Sequence, residues 1–335
     1  MDTESYFVRP FTDRDYEASS RIDAMVNPEF TFTAKEQRHW EEQFSTPGRI
    51  EEKWVVQERA TGAIVAEGSM SQSPFSFHPR KFWTHVVVDP AHRGRGIGRA
   101  LAALLESEAA SHQAICLWTN IRWDDPRSLE FVRRMGFVEK RRLWMSTLDL
   151  SRTDLPAATD GTVRLESEGI RFTTLAAEGP ERPEVRQRLF DLLSETARDV
   201  PRMGDFTPIT FEQFVREFDA PSFLPEGGFL AAVGETYVAM SNFEKHLSEK
   251  DCFRVGFTGT RAAYRGRGIA SELKRRAFEY ARGKGARYLR TVNDSLNLPM
   301  WAINEKQGFR RTIEWIDFER QLRPDEDPSG TPTPA

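Results

Sequence analysis

Two short motifs recur along the chain at one fixed offset. Arg93-Gly94-Arg95-Gly96-Ile97-Gly98 returns as Arg265-Gly266-Arg267-Gly268-Ile269-Ala270, and Gly136-Phe137 returns as Gly308-Phe309. Both offsets are 172 residues, so the spacing from glycine-rich segment to Gly-Phe pair is 43 residues in each half. Preserved spacing at so long a period marks duplication of a whole domain, because solenoid repeats run at about 20–50 residues. The chain's 335 residues are enough for two domains of ordinary size.

The repeated pattern of elements agrees. In the first half, Tyr6 to Arg9, Lys53 to Gln57, Ala63 to Met70 and Phe82 to Val88 read as strands. A helix capped by Thr12 and Asp13 runs to Met25. Ile97, Leu101, Leu104 and Leu105 share one face of a helix from Ile97 to Ser111. A buried strand over Ala114 to Thr119 follows, then a short helix opened by Pro126 and stopped at Gly136. Two closing strands are expected, near Phe137 to Lys140 and Leu143 to Leu148. The second half repeats this order, with its central strand over Phe253 to Thr260 and its long helix from Ile269 to Arg282. The expected division is a first domain over 1–150, a polar linker over 151–161, a second domain over 162–322, and a Pro/Asp/Ser/Thr-rich disordered tail over 323–335.

A strand, a glycine-rich turn and an amphipathic helix together make an anion-binding arrangement. The first amides of the helix have no internal partner, and the helix dipole adds partial positive charge there. Glycine lets those amides approach a phosphate closely. Arg93, Arg95 and Arg99 add charge around the first loop, and Arg265 and Arg267 around the second. Arg99 and Ser271 stand where a dinucleotide fingerprint needs its third glycine, and no Gly-Lys-Ser/Thr follows either loop. The pattern common to both is Arg-x-x-Gly-x-Gly/Ala.

That pattern, with its preceding strand and following Gly-Phe pair, resembles the GNAT acetyltransferase superfamily, twice over and up to about residue 320. The tandem form is similar to mycothiol-synthase-like enzymes, in which one half is often degenerate. The resemblance implies an α/β (α+β) fold of two domains, each a mixed, partly splayed central sheet flanked by helices. It implies acetyl-CoA as acyl donor. The pantetheine arm would pair with Val86, Val87 and Val88 in the first half and with Thr258, Gly259 and Thr260 in the second. The diphosphate would lie on Arg93, Gly94, Arg95, Gly96, Ile97, Gly98 and Arg99, and on Arg265, Gly266, Arg267, Gly268, Ile269 and Ala270. Asn297 and Asn304 are further cofactor candidates; helix capping is the alternative reading of these asparagines. The tyrosine that many relatives use to protonate the leaving thiolate is replaced by Val132 and Asn304, neither of which holds a titratable proton. The second half keeps the asparagines, where the first has Asp125, and is therefore the expected catalyst.

Transfer to an amine needs a base, since an ammonium is not a nucleophile. Candidates are Glu67 and His85 in the first half and Glu195 and Asp199 in the second, each with an ordinary structural reading beside it. Phe30, Phe32, Trp40 and Phe44, and Phe206, Phe211, Phe214 and Phe218, are candidates for a cleft wall or for core. No His/Cys cluster has metal-ligand spacing and no Gly-x-Ser-x-Gly elbow is present.

The remaining composition narrows the class. A net charge of −4 and a pI near 6.0 give no attraction to nucleic acid or anionic membrane. No apolar run approaches the roughly 20 residues of a membrane span, and the N-terminus lacks a secretory pattern. Cys116 and Cys252 sit in apolar stretches and read as buried thiols, so a cytoplasmic protein is expected. The expected function is an N-acetyltransferase moving an acetyl group from acetyl-CoA to the primary amine of a small molecule. A non-catalytic acyl-CoA sensor, or an aminoacyl-transferase on the same duplicated fold, stays as the alternative. Whether the chain forms a homodimer is left open.

Overall fold

The computed structural model describes residues 1–153 and 160–324. The first repeat runs β1 (Tyr6–Pro10), α1 (Tyr16–Val26), α2 (Ala34–Phe44), β2 (Glu51–Glu58), β3 (Ile64–Ser71), β4 (Lys81–Val88), α3 (Ile97–Ser111), β5 (Cys116–Arg122), α4 (Pro126–Arg134) and β6 (Val138–Asp149). The second runs α5 (Asp160–Ser167), β7 (Arg171–Thr174), α6 (Leu175–Glu178), α7 (Pro183–Thr196), α8 (Phe211–Arg216), β8 (Gly228–Val233), β9 (Thr236–Lys245), β10 (Cys252–Thr260), α9 (Ile269–Gly283), β11 (Tyr288–Asp294), α10 (Leu298–Lys306) and β12 (Arg310–Gln321). The mixed α/β architecture that the resemblance implies is present in both halves. Most of the expected linker and the tail beyond Pro324 lie outside the described residues, and α5 begins at Asp160.

Local chemistry explains the element ends. Asp125 accepts from the Ser128 amide and caps α4, and Asn297 does the same for Met300 at α10. Pro126 and Pro299 open those helices, and Gly136 and Gly308, at φ +83° and +94°, follow them in the left-handed region. Helices α2 and α8, absent from the sequence reading, each begin with a capping box, Thr33 with Glu36 and Thr210 with Gln213.

The two compact units exchange strands. Unit 1 holds Met1–Gln37, Ser45–Arg142 and the chain from Trp315; unit 2 holds Arg38–Phe44 and Leu143–Glu314. Where two closing strands were expected after Phe137, one continuous strand, β6, runs out of the first unit. Its Leu143–Asp149 part pairs antiparallel with β11 of unit 2. Reciprocally, Trp315–Gln321 of β12 pairs antiparallel with β5 of unit 1.

Unit 1 therefore has the strand order β1-β2-β3-β4-β5-β12, antiparallel throughout except for the parallel pair β4–β5. Alternation along the strands divides the core. Val56 and Val65 pack with Ile97 and Leu101 of α3, while Val55, Ile64 and Val87 pack with Ile22 of α1. Gly68 lets α3 sit close, since a Cβ there would meet Leu101 at 3.1 Å. Unit 2 has the order β7-β8-β9-β10-β11-β6, with β10–β11 the parallel pair. Phe229 and Ala231 face α9, and Leu230 and Ala232 face α7. No helix among the described residues is long and apolar enough to cross a membrane, and Cys116 and Cys252 are buried free thiols.

Candidate active site

In unit 1 the site is made by two strands that part. β4 and β5 pair at Lys81↔Cys116, Phe82↔Leu117 and Trp83↔Trp118 and no further. Beyond that point β4 stays with β3 as far as Val88, and β5 stays with β12 as far as Arg122. Thr84 Oγ1 still donates to the Trp118 carbonyl at 3.1 Å, at the apex of the opening. The opening is a cleft of about 780 Å³. It is lined by Val86, Val87, Val88, Arg93, Gly94, Gly96, Ile97, Gly98 and Arg99, every first-half cofactor position read from the sequence except Arg95.

The loop at its mouth is shaped for an anion. Gly94 and Gly96 have φ of +80° and +77°, and Gly96 is the N-cap of α3. The first amides of that helix are thereby left without helical acceptors. Arg93 is held in place, its Nε donating to the Val88 carbonyl at 3.2 Å and Nη1 lying 3.5 Å from Asp125. Arg95 donates to the Tyr6 hydroxyl. Arg99 and Arg127 line the cleft with no side-chain partner among the described residues. The Asp125 carboxylate both caps α4 and offsets the charge of Arg93. These residues fit a coenzyme A: a glycine cradle for the diphosphate, two uncommitted guanidiniums, and a slot along β4.

Across the cleft stands His85, on the β4 face toward α1. Its Nε2 lies 4.0 Å from Asp23 Oδ1, and both are partly exposed. Asn27, Thr119, Asn120 and Trp315 line the same space. Phe30 packs edge-on to Phe32, and its ring centre lies 5.7 Å from that of Trp315, so Phe30 backs a cleft wall. Arg122, at the rim, is bound by Asp124 at 2.8 and 2.9 Å and by Glu29 at 2.8 Å, which hold its proton more firmly than usual. Glu67 is elsewhere: it is buried on β3 opposite Val87, 3.8 Å from Lys53 Nζ, and does not line the cleft.

Unit 2 has the same frame with different contents. β10 and β11 pair from Cys252↔Tyr288 to Arg254↔Arg290, and β10 bulges between Val255 and Thr258. Thr258 Oγ1 lies 2.9 Å from Ser241 Oγ, Gly259 pairs with Met240, and Thr260 ends β10. Gly266 and Gly268, at φ +73° and +91°, precede Ile269 and Ala270 at the start of α9. The charges, however, are already matched. Arg265 pairs with Asp199, Arg267 with Glu168, and Arg261 with Glu195. The two second-half base candidates are thus ion-paired, one of them to a loop arginine.

Helices α9 and α10 are also tied together. Lys274 Nζ donates to Asn304 Oδ1 at 3.0 Å, Asn304 Nδ2 donates to Asn293 Oδ1 at 2.7 Å, and Gln307 Nε2 donates to the Ser271 carbonyl at 3.3 Å. Lys274 and Asn304 are both buried, and burial pushes the lysine down to about 8. Asn297 caps α10. At the 172-residue offset the first half has Ala102, Val132, Met135 and Arg99, which make no such bridge. Three residues escaped the sequence reading: Asp23, Arg127 and Lys274. The last was accessible, since aligning the repeats sets a lysine against an alanine on an otherwise apolar helix face.

The acetyltransferase (GNAT) family profile matches residues 19–137 and again 187–309. The chain belongs to the GNAT family. Its expected class, an acetyl-CoA-dependent acyltransferase acting on an amine, holds with that membership. This GNAT protein is 28% identical to a mycothiol acetyltransferase of Thermobispora bispora over 240 residues, 70% of this chain and 75% of that one. It is 30% identical to a mycothiol acetyltransferase of Streptomyces bingchenggensis over 235 residues, 67% of this chain and 68% of that one. Two solved structures share the tandem GNAT fold along their length. One is a GCN5-related N-acetyltransferase from Sphaerobacter thermophilus, with TM-score 0.69, 19% identity, and 97% and 98% of the two chains covered. The other is a tandem GNAT protein from the clavulanic acid biosynthesis pathway, with TM-score 0.72, 20% identity, and 96% and 99% covered.

Proposed function

We propose that acetyl-CoA binds in the cleft of unit 1, and that His85 there removes the proton of a small-molecule amine. The observation that carries this is the gathering of the loop, the strand Val86–Val88 and two arginines unpaired among the described residues, Arg99 and Arg127, around one cleft. The sequence favoured the second half on its asparagines. The geometry favours the first, because in unit 2 Asn304 is spent on Lys274 and Asn293, Asn297 on a helix cap, and the loop arginines on carboxylates.

Bound there, acetyl-CoA supplies an acyl group activated as a thioester, whose carbon–sulfur bond breaks as the amine nitrogen bonds the carbonyl carbon. The loop amides and Arg99 and Arg127 hold the phosphates. His85 accepts the amine proton, and Asp23 steadies the imidazolium that results. Val132 offers no proton at the position where many relatives carry tyrosine, so the departing thiolate is protonated by water. Because the relatives are named mycothiol acetyltransferases, the amine they acetylate is the first acceptor to test. Buried thiols and a pI near 6.0 support a cytoplasmic setting.

Native mass spectrometry and calorimetry with acetyl-CoA test the site. The reading requires one acetyl-CoA per chain, lost in Arg99→Glu/Arg127→Glu and kept in Arg265→Glu. Two molecules per chain, or loss with Arg265→Glu, would overturn it.

A further inference from the structure

The cleft of unit 1 is larger than its strand-side slot. Its lining continues past the apex of the parted strands to Ala102, Leu105, Leu117, Val132 and Phe137. Leu117 sits at that apex, paired with Phe82 one step before the strands separate. The continuation lies between α3, α4 and β5; its walls are alkyl and phenyl groups, with the ion-paired Glu106 and Arg320 also in the lining.

The second repeat shows how much room this position can hold. The residues at the 172-residue offset from Ala102, Val132 and Phe137 are Lys274, Asn304 and Phe309. Lys274 is buried, touches Asn304 with its ammonium, and places that ammonium 5.9 Å from the Phe309 ring centre. A whole lysine side chain thus occupies, in unit 2, the space that Ala102 leaves in unit 1. Truncation of a large buried side chain to alanine leaves a cavity wherever neighbours do not collapse, and here the hollow persists as part of the cleft.

We infer that this hollow receives the alkyl chain of an acyl group longer than acetyl, so that straight-chain acyl-CoA thioesters are donors for the same transfer. The inference rests on the unit 1 cleft being the donor site. The diphosphate end is fixed by the loop at Gly94 and Gly96, and the base stands at His85, so the reacting carbonyl lies near the apex between them. An acyl chain leaving that carbonyl away from the amine meets Leu117 and then the hollow. The wall chemistry selects the chain. At the far end Arg320 is already bound to Glu106 at 2.7 and 3.1 Å, so no free cation awaits a carboxylate-tipped acyl group. A saturated chain needs no hydrogen-bond partner and gains from leaving water. The bond changes are those of acetyl transfer: carbon–nitrogen forms, carbon–sulfur breaks, and free coenzyme A is released.

Calorimetry of the full chain with acetyl-, butanoyl-, hexanoyl- and octanoyl-CoA tests this, beside Ala102→Leu and Ala102→Met variants checked by thermal melts. Wild type should bind hexanoyl-CoA roughly tenfold more tightly than acetyl-CoA. Either filling variant should abolish that preference and leave acetyl-CoA affinity within about twofold. Thiol release with any amine that accepts acetyl should follow the same order. Equal or weaker binding of hexanoyl-CoA in wild type, or a preference that survives both variants, overturns the inference while leaving the donor site intact. Failure of acetyl-CoA itself to bind, or its loss through Arg265→Glu, overturns the donor site and the inference together.

Discussion

Lys274 on α9 donates a 3.0 Å hydrogen bond to Asn304 on α10, and both side chains are buried. The desolvated ammonium prefers its neutral form, so its pKa falls from 10.5 to about 8. Below pH 8 the lysine is charged in folded and unfolded chains alike, and the burial penalty, about 3 kcal/mol, stands in full. Between pH 8 and 10.5 the folded chain sheds the proton first, the unfolded chain binds more protons, and stability rises with pH. Lys274→Met removes this term and also the hydrogen bond to Asn304, worth about 1–2 kcal/mol. The variant should be the more stable at pH 7 and the less stable at pH 10. Urea unfolding at a series of pH values checks it; a wild-type-minus-variant difference that stays flat from pH 8 to 10.5 would sink the argument.

Arg99 and Arg127 line the cleft without side-chain partners among the described residues, whereas Arg265 and Arg267 are paired with carboxylates. A charge-assisted bond to phosphate is worth about 1.5–3 kcal/mol, or tenfold or more in affinity. Arg99→Gln and Arg127→Gln should each weaken acetyl-CoA binding about tenfold and flatten its salt dependence. Arg265→Gln should change it less than about twofold. Calorimetric titrations at two ionic strengths decide between the units.

His85 and Asp23 face each other at 4.0 Å beside the cleft. General-base removal of a proton contributes about 10²–10⁴-fold. His85→Gln should therefore lower kcat by at least about a hundredfold while the Kd for acetyl-CoA is unchanged. Asp23→Asn should have a smaller effect of the same kind. Steady-state kinetics beside acetyl-CoA calorimetry check this; should His85→Gln keep its kcat, another group is the base.

Unit 1 depends on a strand from the far end of the chain. Ile316 and Phe318 of β12 are buried with Phe82, Leu105 and Leu117. Asp317 is ion-paired to Arg141 at 2.5 Å, and Glu319 accepts from Trp118 at 3.0 Å. Phe318→Ala should cost about 3–5 kcal/mol. A fragment of residues 1–150 should lack stable tertiary structure and gain it on adding a peptide of residues 310–323. Near-ultraviolet circular dichroism of the fragment with and without peptide checks this; a fragment that folds unaided would show the exchanged strand to be dispensable.

Much was legible in residue order because it is governed by local rules. The duplication, the helix opened by Pro126, the turns at Gly94 and Gly96, and the glycine-led starts of the two long helices follow from capping, proline and glycine conformations, and periodicity within a few residues. Helices α2 and α8 were equally local, announced by capping boxes at Thr33 and Thr210.

What residue order left undecided was which partners those local pieces would meet. Nothing near Phe137 shows that β6 leaves for β11, or that Trp315–Gln321 returns to β5, because strand pairing joins residues far apart in the chain. Nothing near Arg265 shows that Asp199 already neutralises it, and nothing near Asn304 shows that Lys274 holds it. Two loops alike in sequence differ in what they can hold because charge pairing and cavity filling depend on side chains brought in from elsewhere.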